Sequence, residues 1–212
     1  MATREKIKLT SYNELLGVNN DMISEIDINK LHQFKDHPFS VIDNEKMLEL
    51  VKSIENNGIL SPLLVRPLGN GEYEIISGHR RKRACEIVGK EKVSAIIKDI
   101  SHEEAIPLMV DANFQREDTL PSEKAKAYKM KMEALAHQGK SSDEMSSAKQ
   151  IGQLAGISDR QVQRYIRLTE LQPELMKMVD EKKIAFTPAV ELSYLKPDEQ
   201  RMLIDTIESE QS

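Results

Sequence analysis

Arg160, Gln163, Arg164 and Arg167 recur at the i, i+3, i+4, i+7 spacing that puts side chains on one face of a helix. Guanidinium and carboxamide groups are forked donors and acceptors that match base edges and phosphates. A helix with this face is therefore suited to enter a DNA major groove, amino end first. Ser158, Asp159 and Gln161 at its start, with Lys149, Gln150 and Gln153 on the segment before it, complete the candidate DNA-contacting set.

Such a face works only if a second helix holds it at a fixed crossing. Residues 148–167 read AKQIGQLAGISDRQVQRYIR. Ile151 and Gly152 stand where a first helix needs an apolar and then a small residue at the crossing. Gly156 suits the turn, because a left-handed φ does not strain glycine as it strains other L-residues. Ile157 plugs the core, Ser158 or Asp159 can cap the next helix, and Val162, Tyr165 and Ile166 give it a buried side. The pattern is that of a helix-turn-helix. An ordinary helical hairpin with a solvated basic face is the alternative, and it needs neither glycine at this spacing.

A second concentration of chemistry is Ser77-Gly78-His79-Arg80-Arg81-Lys82-Arg83-Ala84, where a strand is predicted to end and a helix to begin. Free N–H groups and the positive end of the helix dipole favour an anion there, and a triphosphate would fit. A solvated basic helix face is the alternative reading. Asn113-Phe114-Gln115-Arg116 ends a later helix with amide and guanidinium donors of little use to a core.

The 212 residues, 39% hydrophobic and 31% charged, leave room for one or two soluble globular domains. No apolar run approaches the ~18 residues of a membrane span and no secretory signal pattern opens the chain, so a cytoplasmic protein without membrane contact is expected. One cysteine, Cys85, excludes an internal disulfide framework, and the five histidines lack metal-ligand spacing. The net charge of −5 is no objection to DNA, because Lys149, Arg160, Arg164 and Arg167 face only Asp159 between Ser147 and Leu168.

Strands and helices alternate before about Leu120. Asp43 is placed to cap a helix carrying Met47, Leu50, Val51 and Ile54 and closed by Gly58. Strands are predicted over 62–66 and 72–77, joined through Asn70-Gly71, then a helix over 79–88 and a strand over 93–98. Ser101 and Glu104 form a capping-box pair for a helix running towards Asn113. After Leu120 only helices are expected: one marked by Ala125, Tyr128, Met132 and Leu135, a linker over 138–147, the helix-turn-helix, and three more beginning near Pro173, Pro188 and Pro197. The fold class is α+β, a small mixed α/β domain followed by an all-α domain. The boundaries are a flexible tail over 1–20, the first domain over 21–120 and the helical domain over 121–212.

Residues 78–84 resemble the phosphate-binding Gly-Glu-Arg-Arg-x-Arg-Ala box of the ParB family of DNA-partition proteins. Residues 113–118, with Pro121 and Glu123, resemble its Glu-Asn-Leu-Gln-Arg-x-Asp-Leu-x-Pro box, and residues 58–65 resemble its base-lining Gly-(Ile/Val)-x-Gln-Pro-(Ile/Leu)-x-Val segment. The resemblance spans about 25–205, with the boxes in family order. It implies a ParB/sulfiredoxin-like amino-terminal fold, CTP and Mg²⁺ as cofactors, a dimeric clamp that slides on DNA after loading at a palindromic centromere-like site, and a ParA-type ATPase as partner. Ser77, Gly78, His79, Arg80, Arg81, Arg83 and Ala84 would then line the phosphates, and Asn113, Gln115 and Arg116 would complete the nucleotide site, with Asn113 also near Mg²⁺. No catalytic residue is assigned.

This sequence departs from the family pattern at His79 (Glu in the family), Ser61 (Gln) and Ala112 (the acid tied to Mg²⁺ and hydrolysis). Asp111 lies about 100° away on a helix and is a doubtful substitute. A site that binds CTP but hydrolyses it slowly, or that places its metal differently, is expected. A carboxy-terminal dimerisation domain is expected to be absent, giving a weak dimer or a monomer. Residues 11–17 form a short amphipathic patch, either a disordered end or a partner-docking tail. Gly78 occupies the place of the sulfiredoxin cysteine, and a small-molecule kinase on this fold would need acids at 79 and 112, so both enzyme readings are disfavoured. A DNA-binding regulator of ParB ancestry, acting in transcription or copy control, is the remaining alternative.

Overall fold

The computed structural model describes residues 23–114, 118–137 and 144–210. The tail, residues 11–17, Gln115 and Arg116 therefore lie outside the described residues. Packing divides the chain into two compact units. One holds 23–33 and 43–100, the other 34–42 and 101–210, with the packing boundary at Ile100. Its physical cause lies in the second unit, where Glu123 accepts from Ser40 N at 2.7 Å and Phe34 stacks on His102 at 4.7 Å.

The first unit is built on a five-stranded sheet in the order β1-β5-β3-β4-β2. Its strands are β1 (Ile23–Asp27), β2 (Leu31–His32), β3 (Leu63–Gly69), β4 (Glu72–Ser77) and β5 (Lys92–Ile97), with α1 (Glu45–Asn57) and α2 (His79–Val88) between them. β3 pairs antiparallel with β4 through Asn70-Gly71, where φ is 52° and 76°, as a tight hairpin turn needs. The strand continues past Arg66 through Pro67 because β3 meets β5 only over Leu63–Val65, so the missing proline N–H removes no bond on that side. The cap of α1 is Asn44, whose side chain accepts from Met47 N, and not Asp43. Asp43 is drawn off by Arg83.

The second unit is helical: α3 (His102–Asp111), α4 (Pro121–His137), α5 (Glu144–Ala155), α6 (Asp159–Arg167), α7 (Pro173–Asp180), α8 (Phe186–Leu192) and α9 (Pro197–Glu210). The capping box of Ser101 and Glu104 opens α3 as expected. α5 starts at Glu144, so the last four residues of the expected linker are helix; Ser147 and Ala148 are buried on its inner side, which is why a Ser-rich segment is helical here. Two apolar clusters hold the unit. Tyr128, Leu135, Ala148, Ile151 and Val162 form one, and Ala125, Leu168, Leu171, Leu175, Val179, Ala189, Val190 and Ile204 the other. Tyr165 packs against both. Among the described residues no helix is long and apolar enough to cross a membrane.

Candidate nucleic-acid interface and nucleotide box

Gly152 sits at the closest approach of α5 to the chain entering α6. A Cβ built there would stand 2.6 Å from Ile157 O and 3.2 Å from Asp159 N, so any larger residue would push the turn away. Gly156 has φ +70° with nothing within 4 Å of its virtual Cβ; its reason is backbone conformation alone. Ile157 N donates to Gly152 O at 2.9 Å, which closes the turn. Ser158 is the cap, accepting from Gln161 N at 3.1 Å, and the Asp159 carboxylate accepts from Arg160 N at 2.8 Å in the first turn. Ile151 and Val162 are fully buried behind the crossing. These residues build the helix-turn-helix that the spacing predicted.

The reading face divides in two. Lys149, Gln150 and Gln153 on α5, and Arg160 and Gln163 on α6, are exposed. Gln161, Arg164 and Arg167 are half-buried. Arg164 donates through Nη2 to Thr187 Oγ1 at 2.8 Å and lies 5.0 Å from the Phe186 ring centroid. Arg167 donates to Ser193 O at 2.7 Å and lies 4.4 Å from the Tyr194 centroid. The carboxyl half of α6 is thus tied to α8 and the residues after it, while Arg160 and Gln163 stand exposed nearer its amino end. Phe186, Thr187 and Tyr194 carried no signal in the sequence, because their partners lie more than twenty residues away.

In the first unit, Gly78 ends β4 with φ +109°, and a Cβ there would come 2.7 Å from Leu63 Cγ. Only glycine lets the chain turn into α2, whose first residue is His79. Ser77 and Ala84 are buried, and the Ala84 methyl packs in the core instead of facing a ligand. Arg81 donates through Nη1 to Ser61 O at 2.6 Å, Pro62 O at 2.7 Å and Ser61 Oγ at 3.2 Å. Nη1 thereby fixes the backbone at Ser61 and Pro62, while Nε and Nη2 carry the remaining N–H donors of the guanidinium. Arg83 pairs with Asp43 at 2.6 Å, which holds the Asp43 carboxyl below the usual carboxylate range. Both partners are about half exposed (45% and 49%), so this pair is weak and an incoming phosphate can replace it. Arg80 has a buried Nε with no hydrogen-bond partner among the described residues. An orphaned guanidinium nitrogen on the first turn of α2 fits a phosphate.

Mg²⁺ fits less well. Among the described residues no group of three His, Cys, Asp or Glu side chains could hold a metal. The Asp111 carboxylate is paired with Lys131 Nζ. Asn113 fixes its amide by donating to Met109 O at 2.9 Å. Cys85 is fully buried and burial pushes its thiol up, the state of a core residue and not of a nucleophile.

The ParB N-terminal domain family matches residues 12–114, and the ParB HTH domain family matches 117–212. The chain belongs to the ParB family. It is 36% identical over 156 residues to the chromosome-partitioning protein Spo0J of Thermus thermophilus, covering 74% of this chain and 54% of that one. To the chromosome-partitioning protein ParB of Myxococcus xanthus it is 41% identical over 107 residues, 50% of this chain and 36% of the relative. A nucleoid occlusion protein of Listeria monocytogenes is 27% identical over 201 residues, 95% of this chain and 67% of the relative. The chain thus spans about half the length of the first of these ParB-family relatives and about a third of the second. The fold agrees with the truncated ParB of Caulobacter crescentus complexed to the centromeric parS site, at a TM-score of 0.55 and 24% identity over 86% of this chain and 92% of that one.

Proposed function

We propose that this ParB-family chain is a centromere-binding partition protein that reads a palindromic DNA duplex through α5 and α6 and responds to CTP held at the Gly78 box. The observation that carries the DNA reading is the Gly152 crossing, which leaves Arg160 and Gln163 exposed at the groove-entering end of α6. Arg160 is suited to guanine, Gln163 to adenine, and Lys149, Gln150 and Gln153 to the backbone. Arg164 and Arg167, already engaged by Thr187 and Ser193, would orient α6 and meet phosphates.

CTP would supply the phosphate charge that Arg80 and the first turn of α2 are arranged to accept, with Arg83 released from Asp43. Arg81 would act one step back, holding the segment that lines the base. Mg²⁺ would arrive with the nucleotide's own oxygens. Two copies on a palindrome, closing as a sliding clamp, and a ParA-type ATPase acting on the loaded DNA complete the reading. The long match to nucleoid occlusion relatives favours a second reading, a DNA-bound regulator without a partition partner.

Titration calorimetry of CTP, ATP and GTP, with and without a duplex selected from random sequence, tests both halves. CTP-selective binding strengthened by the selected duplex is the expected result. Sequence-specific DNA binding with no nucleotide binding would leave the regulator reading and remove the clamp.

A further inference from the structure

Tyr194 is 65% exposed, two residues past the end of α8, and neither apolar cluster of the helical unit includes it. Its ring contact is with the reading helix: the Arg167 guanidinium carbon lies 4.4 Å from the ring centroid. Phe186, at the other end of α8, stands 5.0 Å from Arg164 in the same way, but it also packs on Tyr165 at 4.7 Å, so the core accounts for it. The core does not account for Tyr194.

The Arg167 guanidinium is held from a second side. Its Nη2 donates to the carbonyl of Ser193 at 2.7 Å, and Ser193 is itself buried, with its hydroxyl donating to Val190 O at 2.6 Å. Among the described residues no carboxylate pairs with Arg167, and its buried Nε has no partner. Arg167 and the exposed Gln163, one turn earlier, line one open groove with Glu170, which is engaged by Lys129 at 3.7 Å. The guanidinium therefore stands on the Gln163 side of α6 with its charge uncompensated, and a DNA phosphate is the ligand such a group takes. A free arginine would lose rotamer freedom on meeting that phosphate; here the ring and the carbonyl fix it before DNA arrives.

We propose that Tyr194 is a positioning residue for DNA binding, its ring ordering the Arg167 guanidinium so that the unpaired N–H groups meet a backbone phosphate on the Gln163 side of α6. This rests on the DNA reading of α5 and α6 above.

Titration of the full chain with the selected duplex at several salt concentrations, alongside thermal unfolding, compares wild type, Tyr194→Leu, Tyr194→Phe, Arg167→Ala and Arg167→Ala combined with Tyr194→Leu. Leucine keeps an apolar side chain and removes the π face. Tyr194→Leu is expected to melt close to wild type and to bind about two- to fivefold more weakly. The loss should be the same for single-base variants of the site, because a phosphate contact carries no sequence information. Tyr194→Phe, which keeps the ring, should restore wild-type affinity. Arg167→Ala should reduce the salt slope by about one per bound copy, and Tyr194→Leu should add no further loss in that background. Four results overturn the proposal: wild-type affinity in Tyr194→Leu, an undiminished loss in the Arg167→Ala background, Tyr194→Phe as weak as Tyr194→Leu, or an unchanged salt slope in Arg167→Ala. If Arg167→Ala does not fold, Arg167→Gln serves in its place with the same expectations, since it removes the charge and keeps a donor for Ser193 O. A wild-type chain that selects no duplex removes the DNA reading itself, and this proposal with it.

Discussion

Gly152→Ala separates the geometry proposed for the helix-turn-helix from simple helix preference. The new methyl would stand 2.6 Å from the carbonyl oxygen of Ile157, with Asp159 N and the Ser158 carbonyl carbon at 3.2 Å. All three neighbours are backbone, so no side chain can rotate away and the turn must open by roughly half an ångström. Overpacking of this kind costs about 1–3 kcal/mol, and rigid neighbours put it in the upper half of that range. Alanine regains about 1 kcal/mol from helix propensity. The net loss is then about 1–2 kcal/mol, and each kcal/mol lowers the melting temperature of a domain this size by about 4–8 °C. The displaced turn also carries the amino end of α6, so DNA affinity should fall with stability. Gly156→Ala is the control: it meets nothing within 4 Å and is strained only by φ +70°, a cost of about 1–2 kcal/mol that asparagine largely avoids. Thermal unfolding and duplex titration of Gly152→Ala, Gly156→Ala and Gly156→Asn give the comparison. A Gly152→Ala protein as stable as wild type with undiminished DNA binding refutes the crossing argument.

Arg160→Ala should weaken binding of the selected duplex by about 1–3 kcal/mol and flatten preference at one base position, read from the binding of single-base variants of the site. Arg167→Ala should instead lower stability by about 1 kcal/mol, through the lost Tyr194 and Ser193 contacts, and leave the base-preference profile unchanged. Burial pushes the Tyr128 phenol up to about 12. A phenol whose folded pKa is raised stabilises the fold fully below its ordinary value near 10, and that contribution is lost as pH rises through about 12, amounting to about 2–3 kcal/mol. Burial raises the Tyr165 phenol in the same direction, so phenolate absorbance should show these two tyrosines ionising late, with the fold weakening across the same window.

Local signals were readable in this chain and long-range ones were not. Gly152, Gly156 and Ser158 announce the helix-turn-helix because the turn's geometry restricts residue type within a few positions. Asn70-Gly71 and the Ser101 and Glu104 pair are legible for the same reason. β1 and β2 went unseen: they are short, and β2 exists only through two residues paired with β4, some forty positions on. Asp43 and Asn44 are equivalent caps in sequence, and only the pull of Arg83 forty residues away decides between them. In the Gly78 box the partners of Arg81 and Arg83 are Ser61, Pro62 and Asp43, some twenty to forty residues away along the chain and invisible in the local pattern. Lys131 was illegible, since nothing in a lysine's neighbours along the chain shows that its ammonium will be enclosed.

The unequal tethering of α6 bears on how such a protein changes its target. Arg164, Tyr165 and Arg167 are bound into both apolar clusters or onto α8, so substitution there disturbs packing before it alters DNA preference. Arg160 and Gln163 carry no such obligation. If Arg160 and Gln163 read bases as proposed, a lineage diverging towards a new binding site has these two positions open to drift at almost no structural penalty, and a laboratory library confined to them would sample new DNA sequences on an unaltered scaffold.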